Sequence, residues 1–153
     1  SSAPPVIFLD VDGVLNRVDD PGDERVDATM LLRVRQLADS AGAVVVISSD
    51  WRTQPDAKAH IERRLAALDV TVIGATPLAR TRALARPAEI FQWLSTHPDE
   101  HNGRYVVLDD RDLTRETRGA ELAAARRFVR TDPRVGFTDE NLAEAIGVLR
   151  RVD

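Results

Sequence analysis

The sequence predicts an α/β protein, a three-layer α/β/α sandwich around a five-stranded, mainly parallel sheet. Three observations carry this reading. Short apolar runs rich in β-branched residues alternate with helical apolar stripes along the whole chain. The runs are continuous rather than alternating, as expected of strands covered on both faces. A helical stripe separates most successive runs, as parallel crossovers require. At 153 residues, with no repeat, low-complexity tract or linker, the chain reads as a single domain over 1–153.

The elements follow in order. Residues 5–9, Pro-Val-Ile-Phe-Leu, form the first strand. Met30, Leu31, Val34, Leu37, Ala38 and Ala41 recur at helical spacing over 27–41, and Gly42 stops that helix. The run 43–47 is the second strand. Pro55 opens a helix carrying Ile61, Leu65 and Leu68, followed by a third strand at 70–73. Pro87 opens a helix with Ile90, Phe91 and Leu94, and 104–108 is the fourth strand. A short helix near 119–125 precedes a fifth strand at 127–129. Thr138 caps a last helix with Leu142, Ile146 and Leu149 on one face. The alternation makes the sandwich Rossmann-like.

Composition narrows the function. Hydrophobic residues make up 43% and charged residues 30%, as in a soluble globular protein. The net charge of −4 argues against bulk adhesion to nucleic acid or anionic membrane, but not against a local basic patch. The absence of cysteine excludes disulfides, thiolate metal sites and a cysteine nucleophile. No apolar run is long enough to span a membrane, and the N-terminus lacks a signal-peptide pattern, so a cytoplasmic protein is expected. Twenty arginines against the single Lys58 fit a GC-rich genome, so no arginine is an anion ligand by its type alone.

In open parallel sheets ligands bind beyond the carboxyl ends of the strands. After the first strand come Asp10, Val11, Asp12 and Gly13; after the second, Ser48, Ser49, Asp50, Trp51 and Arg52; after the fourth, Asp109, Asp110, Arg111 and Asp112. Asp10 and Asp12 project to the same side because strand side chains alternate. Like charges so placed raise each other's proton affinity unless a cation lies between them. A lone Asp-x-Asp reads equally well as a solvated loop, but two acidic pairs directly after apolar runs do not. Asp10, Asp12, Asp109 and Asp110 are therefore candidate ligands of a hard divalent cation, Mg²⁺. Gly13 allows a sharp turn that brings backbone N–H groups near a ligand. Ser48 offers a hydroxyl for an anion, or merely ends a strand. Arg86 could neutralise that anion, or start a helix in solvent.

These motifs resemble the haloacid-dehalogenase (HAD) superfamily. Asp10-Val11-Asp12-Gly13-Val14-Leu15 looks like its first motif, Ser48 after Val-Val-Val-Ile its second, and Asp109-Asp110 after Tyr-Val-Val-Leu its fourth. Arg86 stands where the third motif normally has lysine; Lys58 is misplaced for that role, and Arg80 and Arg82 are the alternatives. The resemblance implies a phosphomonoester hydrolase. Asp10 would attack phosphorus, while Asp12 would protonate the leaving group and then deprotonate water. Mg²⁺ would bridge Asp10, the Asp12 backbone carbonyl and Asp109, with Asp110 nearby. Neither insertion point has room for a cap domain, so the site is expected to be open and suited to large substrates.

The stretches VISSDWR, RPAEIFQWL and VVLDDRD resemble small HAD domains of nucleic-acid end repair and, more distantly, polynucleotide 3'-phosphatases. On that reading Arg17, Ser49, Trp51, Arg52 and Arg111 join Gly13 as substrate contacts at the rim, with Trp51 stacking on a base; the alternative for Trp51 is packing on the neighbouring helix. A small-molecule phosphatase for nucleotides or sugar phosphates, and a non-catalytic HAD-like binding module, are the competing functions. A receiver domain is disfavoured because Ile73-Gly74 offers no phosphoacceptor, and a dinucleotide fold because no Gly-x-Gly-x-x-Gly follows the first strand.

Overall fold

A computed structural model describes residues 3–22, 25–77 and 85–153. Five parallel strands form one sheet: β1 (Val6–Leu9), β2 (Val44–Ile47), β3 (Val72–Ala75), β4 (Tyr105–Asp109) and β5 (Phe128–Arg130). Their order is β3-β2-β1-β4-β5. Five helices accompany them: α1 (Ala28–Ala41), α2 (Pro55–Ala66), α3 (Arg86–Thr96), α4 (Gly119–Ala125) and α5 (Asp139–Arg150). The expected sandwich is therefore present, and every strand pairing is parallel.

Strand side chains sort by parity into two cores. Ile7, Leu9, Val45, Ile47, Val106 and Leu108 pack beneath α1, α2 and α5, against Leu31, Val34, Leu37, Ile61, Leu65 and Leu149. Val6, Phe8, Val46, Tyr105 and Val107 face the other way, against Ile90 and Trp93 of α3 and Leu122 of α4. Phe8 meets Trp93 and Tyr105 edge-on, at centroid distances of 5.7 and 5.9 Å. Each fully buried aliphatic or aromatic side chain contributes about 1.5–3 kcal/mol of transfer free energy. Two helix starts carry side-chain caps: Asp27 accepts from the Thr29 and Met30 amides, and the expected cap Thr138 forms a reciprocal capping box with Asn141.

The chain steps from β1 outward to β2 and β3, then returns past β1 to β4. That reversal makes a switch point beyond the carboxyl ends of the paired strands β1 and β4, the place where such folds bind ligands. The third strand starts two residues later than its apolar run suggests. Asp69 takes a left-handed conformation (φ 60°) and the Val70 amide donates to Leu65 O at 3.0 Å, so Val70 closes α2 and packs in the core. A register shift between Val45 and Val46 accommodates the displaced strand.

Candidate active site

Extending the strand register by one residue sets Thr76, Ser48, Asp10 and Asp109 in a row across β3, β2, β1 and β4. Backbone bonds fix that row: Thr76 N–H to Ile47 O at 2.9 Å, Ser48 N–H to Leu9 O at 2.8 Å, and Asp10 N–H to Leu108 O at 3.1 Å. Beneath it lie Val46, Phe8 and Val107, whose side chains face α3 and α4, so the pleat directs Ser48, Asp10 and Asp109 toward the same layer. A polar row thus crowns an apolar one. Ser48, Asp10 and Asp109 are 1%, 4% and 0% exposed, which makes their chemistry expensive to leave uncompensated.

The compensation is partial. Carboxylate oxygens of Asp10, Asp109 and Asp110 lie within 4.8 Å of one another. Arg86, the first residue of α3, reaches them from above: Nη1 is 2.7 Å from Asp109 Oδ2 and 3.5 Å from Asp10 Oδ2, and Nη2 is 3.3 Å from Asp50 Oδ1. Burial, reinforced by the Asp109 charge and opposed by Arg86, holds the Asp10 carboxyl well above the usual carboxylate range. Burial also raises Asp109, against the pull of Arg86. Burial works against the Arg86 charge, yet Asp109 and Asp10 outweigh it and keep the guanidinium protonated.

Asp12 stands apart from this group. Its Oδ1 accepts from Asn16 Nδ2 at 3.0 Å and its Oδ2 from Trp51 Nε1 at 3.1 Å. The two donors fix an exposed carboxylate in one orientation at the mouth of the crevice. Among the described residues its carboxylate is not in the close acidic group, which corrects the expectation of four clustered carboxylates. Opposite these satisfied groups is an unsatisfied one: the Ser48 hydroxyl is buried and, among the described residues, has no hydrogen-bond partner. A buried orphan of this kind costs about 1–3 kcal/mol unless a ligand pairs with it.

Residues 6–142 match the family described as the HAD domain in Swiss Army Knife RNA repair proteins. The chain belongs to that family. No curated protein and no solved structure matches it. Membership supports phosphatase-type hydrolase chemistry in general, as the motif resemblance implies.

The HAD domain gathers Asp10, Asp12, Ser49, Asp50, Arg86, Asp110 and Arg111 around a crevice of about 180 Å³. Other expected contacts lie elsewhere. Gly13 has φ 79°, and a Cβ there would collide with the Asp110 carboxylate, so glycine permits the close approach of β1 and β4 ends. Its amide, however, donates to Asn16 Oδ1 at 2.9 Å rather than facing a ligand. Arg17 lines a separate groove with Asp20 and Arg64. Arg52 is not at the rim: its guanidinium is buried, donating to Glu89 at 2.8 Å, Ser49 O at 2.6 Å and Thr76 O at 3.0 Å. Trp51 is 5% exposed, so its ring is no open stacking surface. Arg111 stays at the rim, with a bidentate pairing to Glu116 at 2.8 and 3.1 Å. Arg80 and Arg82 lie outside the described residues.

Sequence reasoning missed Asn16 and Glu89. Asn16 carried a signal, standing four residues after Asp12 on the turn that Gly13 starts, where one amide can reach back to both. Glu89 carried none, because its partner Arg52 is 37 positions away. The donor set fits a hard divalent cation: it is all carboxylate oxygen, close-set and charge-rich. Among the described residues no helix is long and apolar enough to cross a membrane.

Proposed function

We propose that the chain is a Mg²⁺-dependent phosphomonoester hydrolase that works through phosphoryl-Asp10 and acts on phosphorylated nucleic-acid ends. The observation that carries the reading is the trio of Asp10, Asp109 and Asp110, with oxygens within 4.8 Å of one another. Mg²⁺ held by these three and the Asp12 backbone carbonyl would offset the repulsion between an anionic nucleophile and an anionic phosphate.

The chain's own residues do the rest. An Asp10 oxygen attacks phosphorus, the ester P–O bond breaks, and the leaving oxygen takes the proton of the Asp12 carboxyl. Water then attacks phosphorus on phosphoryl-Asp10, Asp12 takes the water proton, and the P–O bond to Asp10 breaks to free phosphate. The orphan Ser48 hydroxyl donates to a non-bridging phosphoryl oxygen, which supplies its missing partner. Arg86 aligns Asp10 and balances charge in the role that lysine normally fills in the family.

The substrate class is supported by the family's occurrence in RNA repair proteins and by the size of the crevice. At about 180 Å³ it is smaller than typical ligand pockets, which start near ~300 Å³, and this favours a substrate whose bulk lies outside it. The test is phosphate release from 3'- and 5'-phosphorylated RNA oligonucleotides, mononucleotides and sugar phosphates, with Mg²⁺ or with chelator. The expected result is Mg²⁺-dependent release, highest kcat/KM on an oligonucleotide end, and none from Asp10→Asn. Release by Asp10→Asn at the parent rate contradicts the mechanism, and a preference for sugar phosphates contradicts the substrate.

A further inference from the structure

We propose that the groove beside Asp12 seats the nucleobase of the terminal nucleoside, which bears the leaving oxygen, stacked on the guanidinium of Arg25. This rests on the phosphatase reading above and adds the subsite that recognises the substrate.

The groove encloses about 340 Å³ and is lined by Asp12, Asn16, Val18, Pro21, Arg25 and Trp51. It shares Asp12 with the phosphoryl crevice. Because Asp12 delivers its proton to the leaving oxygen, the leaving group has to lie on the Asp12 side. That side is this groove. For a 3'- or a 5'-phosphate alike, the leaving oxygen belongs to the terminal nucleoside of the oligonucleotide, so that nucleoside's base falls here.

The floor of the groove is layered. Arg25 Cζ sits 4.4 Å from the centre of the Trp51 ring, so the guanidinium covers the indole, and Arg25 itself is exposed. Cation–π attraction holds the guanidinium in place and reduces the ordering cost of using it. Arginine planes, like aromatic rings, stack unpaired RNA bases. The exposed Val18 and Pro21 add apolar edges that a sugar phosphate would leave unused. The expected stacking residue is therefore Arg25, with Trp51 as its support.

A buried amide ties this platform to the chemistry. Asn16 Nδ2 donates to Asp12 Oδ1 at 3.0 Å and to the Arg25 carbonyl at 2.8 Å, while its Oδ1 accepts from Gly13 at 2.9 Å. One side chain thus sets the separation between the proton donor and the platform. That separation would register a terminal base against the leaving oxygen.

The experiment compares kcat/KM for a phosphorylated RNA oligonucleotide with a terminal base against the same oligonucleotide ending in an abasic nucleotide. The wild-type ratio is expected to be about tenfold or more, the size of one stacked base. In Arg25→Ala the ratio falls toward one. In Arg25→Lys, which keeps the charge but loses the plane, it falls likewise. A wild-type ratio of one with both substrates turned over overturns the groove assignment alone. A ratio retained in Arg25→Ala does the same, and one retained only in Arg25→Lys replaces stacking by simple charge attraction. Release of phosphate from neither substrate overturns the phosphatase reading and this proposal with it.

Discussion

Trp51 donates its only polar hydrogen to Asp12, and that bond ties a residue of β2's following turn to the acid at the end of β1. Trp51→Phe keeps an aromatic ring beneath Arg25 but removes the donor, leaving Asn16 alone to orient the carboxylate. The expected result is a kcat lower by about tenfold to a hundredfold with KM little changed, since proton transfer depends on sub-ångström placement. Unchanged kcat would show that Asn16 suffices. Arg52 makes the opposite case. Its guanidinium and the Glu89 carboxylate are 5% and 8% exposed, so Arg52→Ala removes one member of a buried ion pair. Such losses cost about 3–5 kcal/mol, and denaturant unfolding should show it. Full stability with a raised KM would return Arg52 to the substrate. Packing of Trp51 on the neighbouring helix stood as an alternative in the sequence, but its bond to Asp12 and the inward turn of Asp50–Thr53 that buries the Arg52 guanidinium were not legible there.

The ends of the strands, by contrast, were legible. A residue that follows an apolar β run must lie at the edge of the sheet, and in a parallel sheet all such edges are on one side. Asp10, Ser48 and Asp109 therefore lie at one end of the sheet, and they meet because β2, β1 and β4 are neighbours. The strand order could not be read from the runs themselves, and the start of β3 was misplaced because Val70 serves the closing turn of α2 instead. Arg86 begins α3, and its helix rides over the polar row on the side to which Asp10 and Asp109 point. Arg86→Ala should abolish most activity, because it removes the guanidinium paired with those buried carboxylates, whereas Arg86→Lys should recover part of it by restoring a charge. Equal loss in both variants would mean that the planar, forked donor geometry is required. Gly13→Ala should be more damaging than its size suggests. A positive φ and a Cβ against Asp110 together push the ends of β1 and β4 apart. The variant should lose more than about 1 kcal/mol of stability, and Mg²⁺ should no longer raise its melting temperature.

At the scale of the whole molecule, the acidic centre couples stability to pH and metal. Without a divalent cation, Asp10 and Asp109 have raised values in the folded protein, chiefly through burial. Their contribution to stability is therefore complete below the unfolded carboxylate value near ~3.9 and is lost as pH rises through the raised values. Asp112, Glu121 and Asp153 are lowered by hydrogen bonds and favour stability in the opposite direction, but they lie outside the acidic trio. The Mg²⁺-dependent part isolates the centre. The rise in Tm on adding millimolar Mg²⁺ should be clear at neutral pH and should shrink toward zero as Asp10 and Asp109 protonate in acid. A rise of equal size at both ends would place the metal elsewhere. The central claim, that Asp10 carries the phosphoryl group, is tested most directly in Asp12→Asn, where water has lost its base and the intermediate should persist. Intact-mass and peptide mass spectrometry after mixing with phosphorylated RNA and Mg²⁺ should find one added phosphoryl group, on Asp10. Turnover with no adduct in Asp12→Asn, or an adduct that survives Asp10→Asn, would contradict it.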